Sequence, residues 1–372
     1  MSDRGIVLVT GGAGHLGANL VRRLLADGER VRALQRPGSD NRALDGLALE
    51  RVDGDLRDPA AVARAVAGVE RVYHCAAKLA TVAGGEREVY DCNVLGTRNL
   101  LAAARKAGVR RVVVTGSFSA TGHLEERPSD ESVPYYPFKE ALPYERTKVL
   151  VEHETLKACA DGLDALIATS CAIVGPHDFK PSRMGQALLD FAHGKLRAYI
   201  PGGFEFVTAR DIVAGHVLAM AKGRAGQKYI FASGYMNLDQ LMAIYEELTG
   251  VPKPRLRLSP SVMMGIARVV SPVMARLRPN DPQRFTPAAV RLLQMGRRAD
   301  TTKAQTELGF RPTPVRDALA EAYDDFVRRG VIANPKRPVS FVVPTPPPVE
   351  GARPVAAVTA AGDDRRQNGV QP

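Results

Sequence analysis

Three glycines near the start constrain this chain more than any other feature. Gly11, Gly14 and Gly17 recur at intervals of three within Thr10-Gly11-Gly12-Ala13-Gly14-His15-Leu16-Gly17. The apolar run Gly5 to Thr10 before them reads as a buried strand, and Leu16, Leu20, Leu24 and Leu25 after them recur at helical spacing. Between a strand and a helix each glycine has a physical task. The first makes the tight turn, the second lets the backbone approach a phosphate, and the third lets helix pack closely on strand. Unpaired N–H groups at the helix start then offer a site for an anion. In this setting the spacing marks a dinucleotide-binding unit, with Gly11, Gly14, His15, Leu16 and Gly17 as expected cofactor-binding residues.

Strand-like and helix-like segments go on alternating. Strands are predicted near 49–52, 70–75, 110–115 and 164–169, and helices near 59–67, 86–107 and 143–160. Such alternation implies an α/β fold, a Rossmann-type doubly wound parallel sheet with helices on both faces. After Gly175-Pro176 the regularity falls. Helices near 181–194, 210–222, 237–249, 286–295 and 314–329 surround short strands near 198–200 and 228–231. The expected division is a dinucleotide-binding domain over 1–175, a smaller C-terminal α/β substrate lobe over 176–332 with some segments returning to the main sheet, and a tail over 333–372. Eight of the 26 prolines fall in the last 38 residues, which predicts a disordered tail unable to bury enough apolar area to offset its ordering entropy.

The net charge is +11, but Lys and Arg are dispersed and no basic run interleaves with aromatics, so no nucleic-acid partner is expected. Cys75, Cys92, Cys159 and Cys171 form no C-x-x-C pair and none neighbours a His at ligand spacing, so no metal site is expected. Met1-Ser2-Asp3-Arg4 leads straight into a strand without an apolar leader, and no run reaches the ~18 apolar residues that span a bilayer, so a cytoplasmic location is expected. The Met-rich run Val262 to Leu277 reads first as a lobe helix that Pro272 breaks; a lid or a weak membrane-surface contact stays open.

The end of the second strand selects the cofactor. An acidic residue there would hold the ribose 2′-hydroxyl of NAD. This chain has Gln35-Arg36-Pro37-Gly38-Ser39, and Arg36 offers a planar fork for a 2′-phosphate. NADP(H) is therefore favoured, with NAD(H) as the alternative. Asp55 and Leu56, after the third predicted strand, are placed at the adenine, although a turn carboxylate explains Asp55 as well. Farther on, Tyr144 and Lys148 stand at i and i+4 on one helical face. A phenol near pKa ~10 is a poor acid or base at neutral pH, and a lysine one turn away is expected to lower it.

With these motifs the chain resembles the extended short-chain dehydrogenase/reductase superfamily, the NAD-dependent epimerase/dehydratase family included, over about residues 5–330. His74-Cys75-Ala76-Ala77, Asn93-Val94-Leu95-Gly96-Thr97, Thr115-Gly116-Ser117, Val174-Gly175-Pro176, Asp211-Ile212-Val213 and Asp300 through Phe310 match its further signatures. The resemblance implies that Ala76, Ala77, Lys78 and Val174 line the cofactor. It implies that Ser117 binds the substrate oxygen, with Ser119 as the alternative, that Tyr144 moves the proton, and that Lys148 holds the nicotinamide ribose. Asn93 is expected either to pack the central helix or to hold a catalytic water. Phe118-Ser119 stands where sugar-nucleotide dehydratases carry an acidic pair, and Ser170 to Val174 lacks the asparagine common in sugar epimerases. What remains resembles the dihydroflavonol-reductase, 3β-hydroxysteroid-dehydrogenase and hopanoid-associated branch. That implies a hydride transfer between ketone and alcohol on a lipophilic small molecule, with Val133 to Phe138 as an aromatic wall or an ordinary packed loop. The alternative is an NDP-sugar epimerase with tightly bound NAD. A homodimer through the helices near 93–107 and 144–160 is a further expectation of the resemblance.

Overall fold

The structure, a computed structural model, describes residues 5–79, 85–135, 141–277 and 287–336. The tail beyond 336 and part of the expected aromatic wall, Tyr136 to Phe138, lie outside the described residues. Twelve strands are present among these residues. In chain order they are β1 (Ile6–Thr10), β2 (Val31–Gln35), β3 (Glu50–Asp53), β4 (Val69–His74), β5 (Arg111–Ser117), β6 (Ala165–Ser170), β7 (Ala172–Val174), β8 (Ala198–Tyr199), β9 (Gly203–Thr208), β10 (Lys228–Phe231), β11 (Gly234–Asn237) and β12 (Leu256–Arg257). Seven of them form one parallel sheet in the order β10-β6-β5-β4-β1-β2-β3. The order reverses between β1 and β4, and the crevice outside the C-terminal ends of such a pair is where open α/β sheets bind ligands.

Both faces of the sheet's centre are covered, so β1, β5 and β6 are largely apolar rather than alternating, whereas the edge strand β3 is charged and mostly exposed. Val7 and Val9 of β1 join one core with Leu16, Leu20 and Leu24 of helix α1 (His15–Ala26). Leu8 points the other way, into a core with Val62 of α2 (Pro59–Val66), Leu100 of α4 (Gly96–Lys106) and Val151 of α5 (Pro143–Ala160). The helix expected over 86–107 contains an irregularity. Between α3 (Glu86–Tyr90) and α4, residues Asp91–Leu95 form one π turn, and Asn93 lies on it.

A second layer sits beyond residue 175. β7, β9 and β11 form a three-stranded sheet, and β8 pairs with β12. Helices α6 (Arg183–Ala192), α8 (Leu238–Thr249) and α11 (Val315–Arg328) close on the three-stranded sheet around Leu188, Phe191, Phe206, Tyr245, Tyr323 and Phe326. The chain does not stay in this layer. α7 (Ala209–Lys222) places Ile212 and Val213 in the same core as β1, and β10 extends the main sheet beside β6.

Helix α9 (Pro260–Leu277) runs through Pro272 rather than breaking there. A proline removes one backbone bond and crowds the preceding turn, which kinks a helix without ending it when the neighbouring turns hold. Met263 and Ala267 of α9 pack on Ile200 and on Val290 of α10 (Pro287–Gln294), while Val262, Ile266, Val269 and Val270 are exposed. Among the described residues no helix is long and apolar enough to cross a membrane.

Candidate active site

The glycine turn sits at the β1 end of the crevice, and its spacing is enforced by contact. Gly11 has φ +72°, and a Cβ there would lie 2.6 Å from the backbone nitrogen of Ala76. A Cβ on Gly17 would lie 2.2 Å from the Gly11 carbonyl oxygen, so any side chain would push α1 off the turn. Gly14 caps α1 without a side-chain bond and with no acid in the first turn, which leaves that end open to an anion. Beside it a cavity of about 430 Å³ is lined by Gly11, Gly14, Arg36, Asp55, Leu56, Ala76, Ala77, Lys78 and Asn93, all expected cofactor residues. A dinucleotide with its phosphates on the α1 end and its adenosine toward Arg36 and Asp55 fits this arrangement.

Other expected residues are placed differently. Leu16 and Gly17 are buried against the sheet and do not line the cavity. The His15 ring turns away toward the second layer and donates from Nε2 to the carbonyls of Gly175 (3.2 Å) and Pro176 (3.1 Å). Val174 is buried beside it in the core of the second layer. Asn93 borders the cavity, but its side chain is fully engaged. Oδ1 accepts from Lys78 N (2.7 Å), while Nδ2 donates to Lys78 O (3.0 Å) and Thr147 Oγ1 (3.0 Å). It clamps the strand β4 exit to α5, which corresponds to the packing alternative. No water-binding role is visible in these bonds.

The catalytic candidates meet at the end of β5. Tyr144 stands beside Ser117, whose hydroxyl pulls the phenol's pKa down and is 2.8 Å from that of Ser119. Ser117 and Ser119 are thus brought together at the same place. Lys148 follows one turn later, and its Nζ donates to Thr115 O (2.8 Å), 6.0 Å from the centre of the Tyr144 ring. Thr115 is held from the other side by His216 of α7. His216 Nδ1 donates to Ile212 O (2.8 Å), so its Nε2 accepts from the Thr115 hydroxyl (2.9 Å). Burial pushes His216 down to about 4, which keeps that neutral tautomer at ordinary pH.

The electrostatics correct one expectation. Tyr144 is pushed up to about 12 by burial, while the Ser117 hydrogen bond and the Arg183 charge pull it the other way. Lys148 is itself pushed down to about 8 by burial. The desolvation cost of a buried phenolate outweighs the neighbouring charges. The Tyr144 phenol is thus held in its neutral form at ordinary pH.

Several residues of the site carry no strong sequence signal. Glu145 accepts from Leu142 N (2.8 Å) and from the Tyr135 hydroxyl (2.9 Å), fixing the first turn of α5 and with it Tyr144; Pro143 followed two residues later by an acid is the signal that could have revealed it. Arg297 lies over the Phe118 ring at 5.0 Å and donates to the carbonyls of Phe118 (3.0 Å) and Thr121, which braces the segment after Ser117. Arg183, the first residue of α6, is exposed in the cleft with its charge acting on Tyr144. The four cysteines are free, and among the described residues no three His, Cys, Asp or Glu side chains gather as a metal site.

The parallel sheet, the glycine cradle and the Ser-Tyr-Lys set define an enzyme of the extended short-chain dehydrogenase/reductase type, built for a nicotinamide dinucleotide. The chain belongs to the NAD dependent epimerase/dehydratase family, whose model matches residues 7–232. It is 48% identical over 325 residues to sterol demethylase protein B of Methylococcus capsulatus, covering 87% of this chain and 99% of that one. It is 29% identical over 371 residues to 3beta-hydroxysteroid-dehydrogenase/decarboxylase isoform 1 of Arabidopsis thaliana, covering 90% and 83%. Among solved structures, DesIV, a dTDP-glucose 4,6-dehydratase of Streptomyces venezuelae determined with NAD bound, superposes with a TM-score of 0.71 at 25% identity, covering 88% of this chain and 98% of that one.

Proposed function

We propose that this chain transfers hydride between NADP(H) and a ketone or secondary alcohol on a lipophilic, sterol-like small molecule. The observation that carries the reading is Tyr144 standing beside Ser117 at the end of β5, with Lys148 one turn behind it. The cofactor supplies the hydride. Ser117 orients the substrate oxygen, and Tyr144 delivers a proton to that oxygen as the carbonyl carbon is reduced, or removes it during oxidation. Lys148, anchored on Thr115, is assigned the nicotinamide ribose on the strength of the family resemblance. Gln35 at the end of β2 bonds Asp53 (2.8 Å) instead of offering an acid to a 2′-hydroxyl, which supports NADP(H) over NAD(H).

The sterol names of two relatives support a lipophilic substrate. The exposed apolar side chains of α9 support a weak contact with a membrane surface, where such substrates reside. An exposed Leu156 on α5, beside the Arg98–Glu154 ion pair, supports a homodimer through α4 and α5. The test is NADPH consumption against steroid ketones, flavonoids and other lipophilic ketones, with Tyr144→Phe run beside the wild type. A loss of ~100-fold or more is expected, in the range general acid catalysis supplies; unchanged turnover removes Tyr144 from the mechanism. Mass spectrometry of the purified protein separates the epimerase alternative, which requires NAD to stay bound through purification.

A further inference from the structure

We propose that Lys180, on the loop between β7 and α6, is the second ligand of the cofactor's adenosine 2′-phosphate and closes on it opposite Arg36. This rests on the NADP(H) reading above. Every other described residue lining the 430 Å³ cavity comes from the first 93 residues of the chain; Lys180 alone reaches in from the second layer. Arg36, Ser39 and Asn41 line the same cavity, and Arg36 is near enough to act on the Lys180 charge. There Arg36 is already oriented. Its Nε donates to Ser39 Oγ (2.9 Å) and its carbonyl accepts from Asn41 Nδ2 (3.3 Å), so the guanidinium edge faces the pocket with its terminal nitrogens unengaged among the described residues.

The charges at this corner do not balance within the protein. Lys180 is exposed and makes no hydrogen bond or ion pair among the described residues. Partial burial of its stem lowers its pKa most, and Arg36 lowers it further. The nearest acid, Asp40, raises it, but Asp40 is committed to Arg42 through bonds of 3.0 and 2.8 Å. Asp55 is likewise held by Arg57 at 2.9 and 2.7 Å. Two cations thus converge with no free carboxylate between them, an arrangement that a phosphate of about −1.5 to −2 charge relieves and a hydroxyl does not. The base of the loop is fixed. Phe179 lies between Arg22 (5.5 Å) and Arg329 (4.5 Å), and buried Asp178 accepts from Ser182 N (2.7 Å). Lys180 therefore extends from a held backbone, three residues before Arg183 acts on Tyr144, and a 2′-phosphate would tie the substrate side of the cleft to the cofactor.

The test uses adenosine 2′,5′-bisphosphate and 5′-AMP as probes, with calorimetric binding to wild type, Lys180→Met, Lys180→Arg and Arg36→Met. Binding of NADPH and NADH by nicotinamide fluorescence runs in parallel. Lys180→Met is expected to weaken the bisphosphate and NADPH about tenfold or more, to leave 5′-AMP and NADH within twofold, and to keep the wild-type melting temperature. Lys180→Arg should restore most of the loss. Hydrogen exchange over 175–183 should slow with the bisphosphate, and not with 5′-AMP, in wild type but not in Lys180→Met. If Arg36→Met weakens the bisphosphate and Lys180→Met does not, the lysine proposal fails and the NADP(H) reading stands. Equal weakening of both probes by Lys180→Met also overturns it, since the contact then lies elsewhere on the nucleotide. If wild type binds the two probes equally, the NADP(H) reading itself fails.

Discussion

At the scale of single residues, Tyr144 decides how the site responds to pH. Burial pushes its hydroxyl up to about 12, so the donor form persists through neutral pH, while oxidation of an alcohol requires the phenolate. Rates of oxidation should therefore climb with pH. Arg183 is one of two groups that pull the phenol down. In Arg183→Met the rise in kcat/KM for oxidation is expected at higher pH, and a displacement of one pH unit removes about tenfold of the phenolate present at pH 8. A full pH profile of wild type and variant checks this; coincident profiles would show that Arg183 has no hold on the phenol. The pairing of Tyr144 with Lys148 was legible in the sequence because i and i+4 share a helical face. The direction of the phenol's shift was not, because desolvation depends on everything packed around the ring and not on the neighbour one turn away.

At the scale of elements, what was readable follows from which segments keep a regular period. β1, α1 and α5 do, and their positions follow from leucine spacing and the glycine turn. The π turn over Asp91–Leu95 does not, since one extra residue in a helix leaves the apolar spacing nearly intact. β9 was missed for another reason. It carries Glu205 between two phenylalanines, and an acid in a short run reads as loop. The structure buries Glu205 to 8% exposure, where it accepts from Ala299 N (3.1 Å) and tethers β9 to the strand-like segment at 297–300. That same burial pushes its carboxyl up to about 7. The folded protein then binds this proton more tightly than the unfolded chain. The group's contribution to stability is complete below the ordinary value of 4.5 and is lost as pH rises through 7. Glu205→Gln keeps the acceptor and does not titrate. Relative to wild type it is expected to gain on the order of 1–3 kcal/mol between pH 4.5 and pH 8, read from urea unfolding at both values. A stability difference independent of pH would mean that Glu205 does not hold its proton in the fold.

At the scale of the whole molecule, the two layers are expected to unfold as one unit, because the chain crosses between them repeatedly. α7 and β10 lie past residue 175 yet pack in the main sheet's core, and His216 of α7 bonds the hydroxyl of Thr115, the residue whose carbonyl accepts from Lys148. The signature Asp211-Ile212-Val213 marks the junction. Asp211 is 2% exposed and accepts from Ser233 Oγ (2.5 Å), Thr313 N (2.8 Å) and Thr313 Oγ1 (2.9 Å), so one carboxylate joins α7, the turn after β10 and the approach to α11. The sequence marks this residue but not its partners, which are 22 and 102 positions away. Removing the carboxylate leaves a backbone N–H unpaired at the junction. Asp211→Ala is therefore expected to cost about 3 kcal/mol, a fall of roughly 4 °C in Tm for a chain of this size. The shape of the transition distinguishes a junction from a local bond. Calorimetry should show one transition moving down as a whole, and loss of the bound cofactor's fluorescence should coincide with loss of helix. Two separated transitions in the variant, with the dinucleotide retained through the first, would mean that the layers are stable independently and that Asp211 serves only the second.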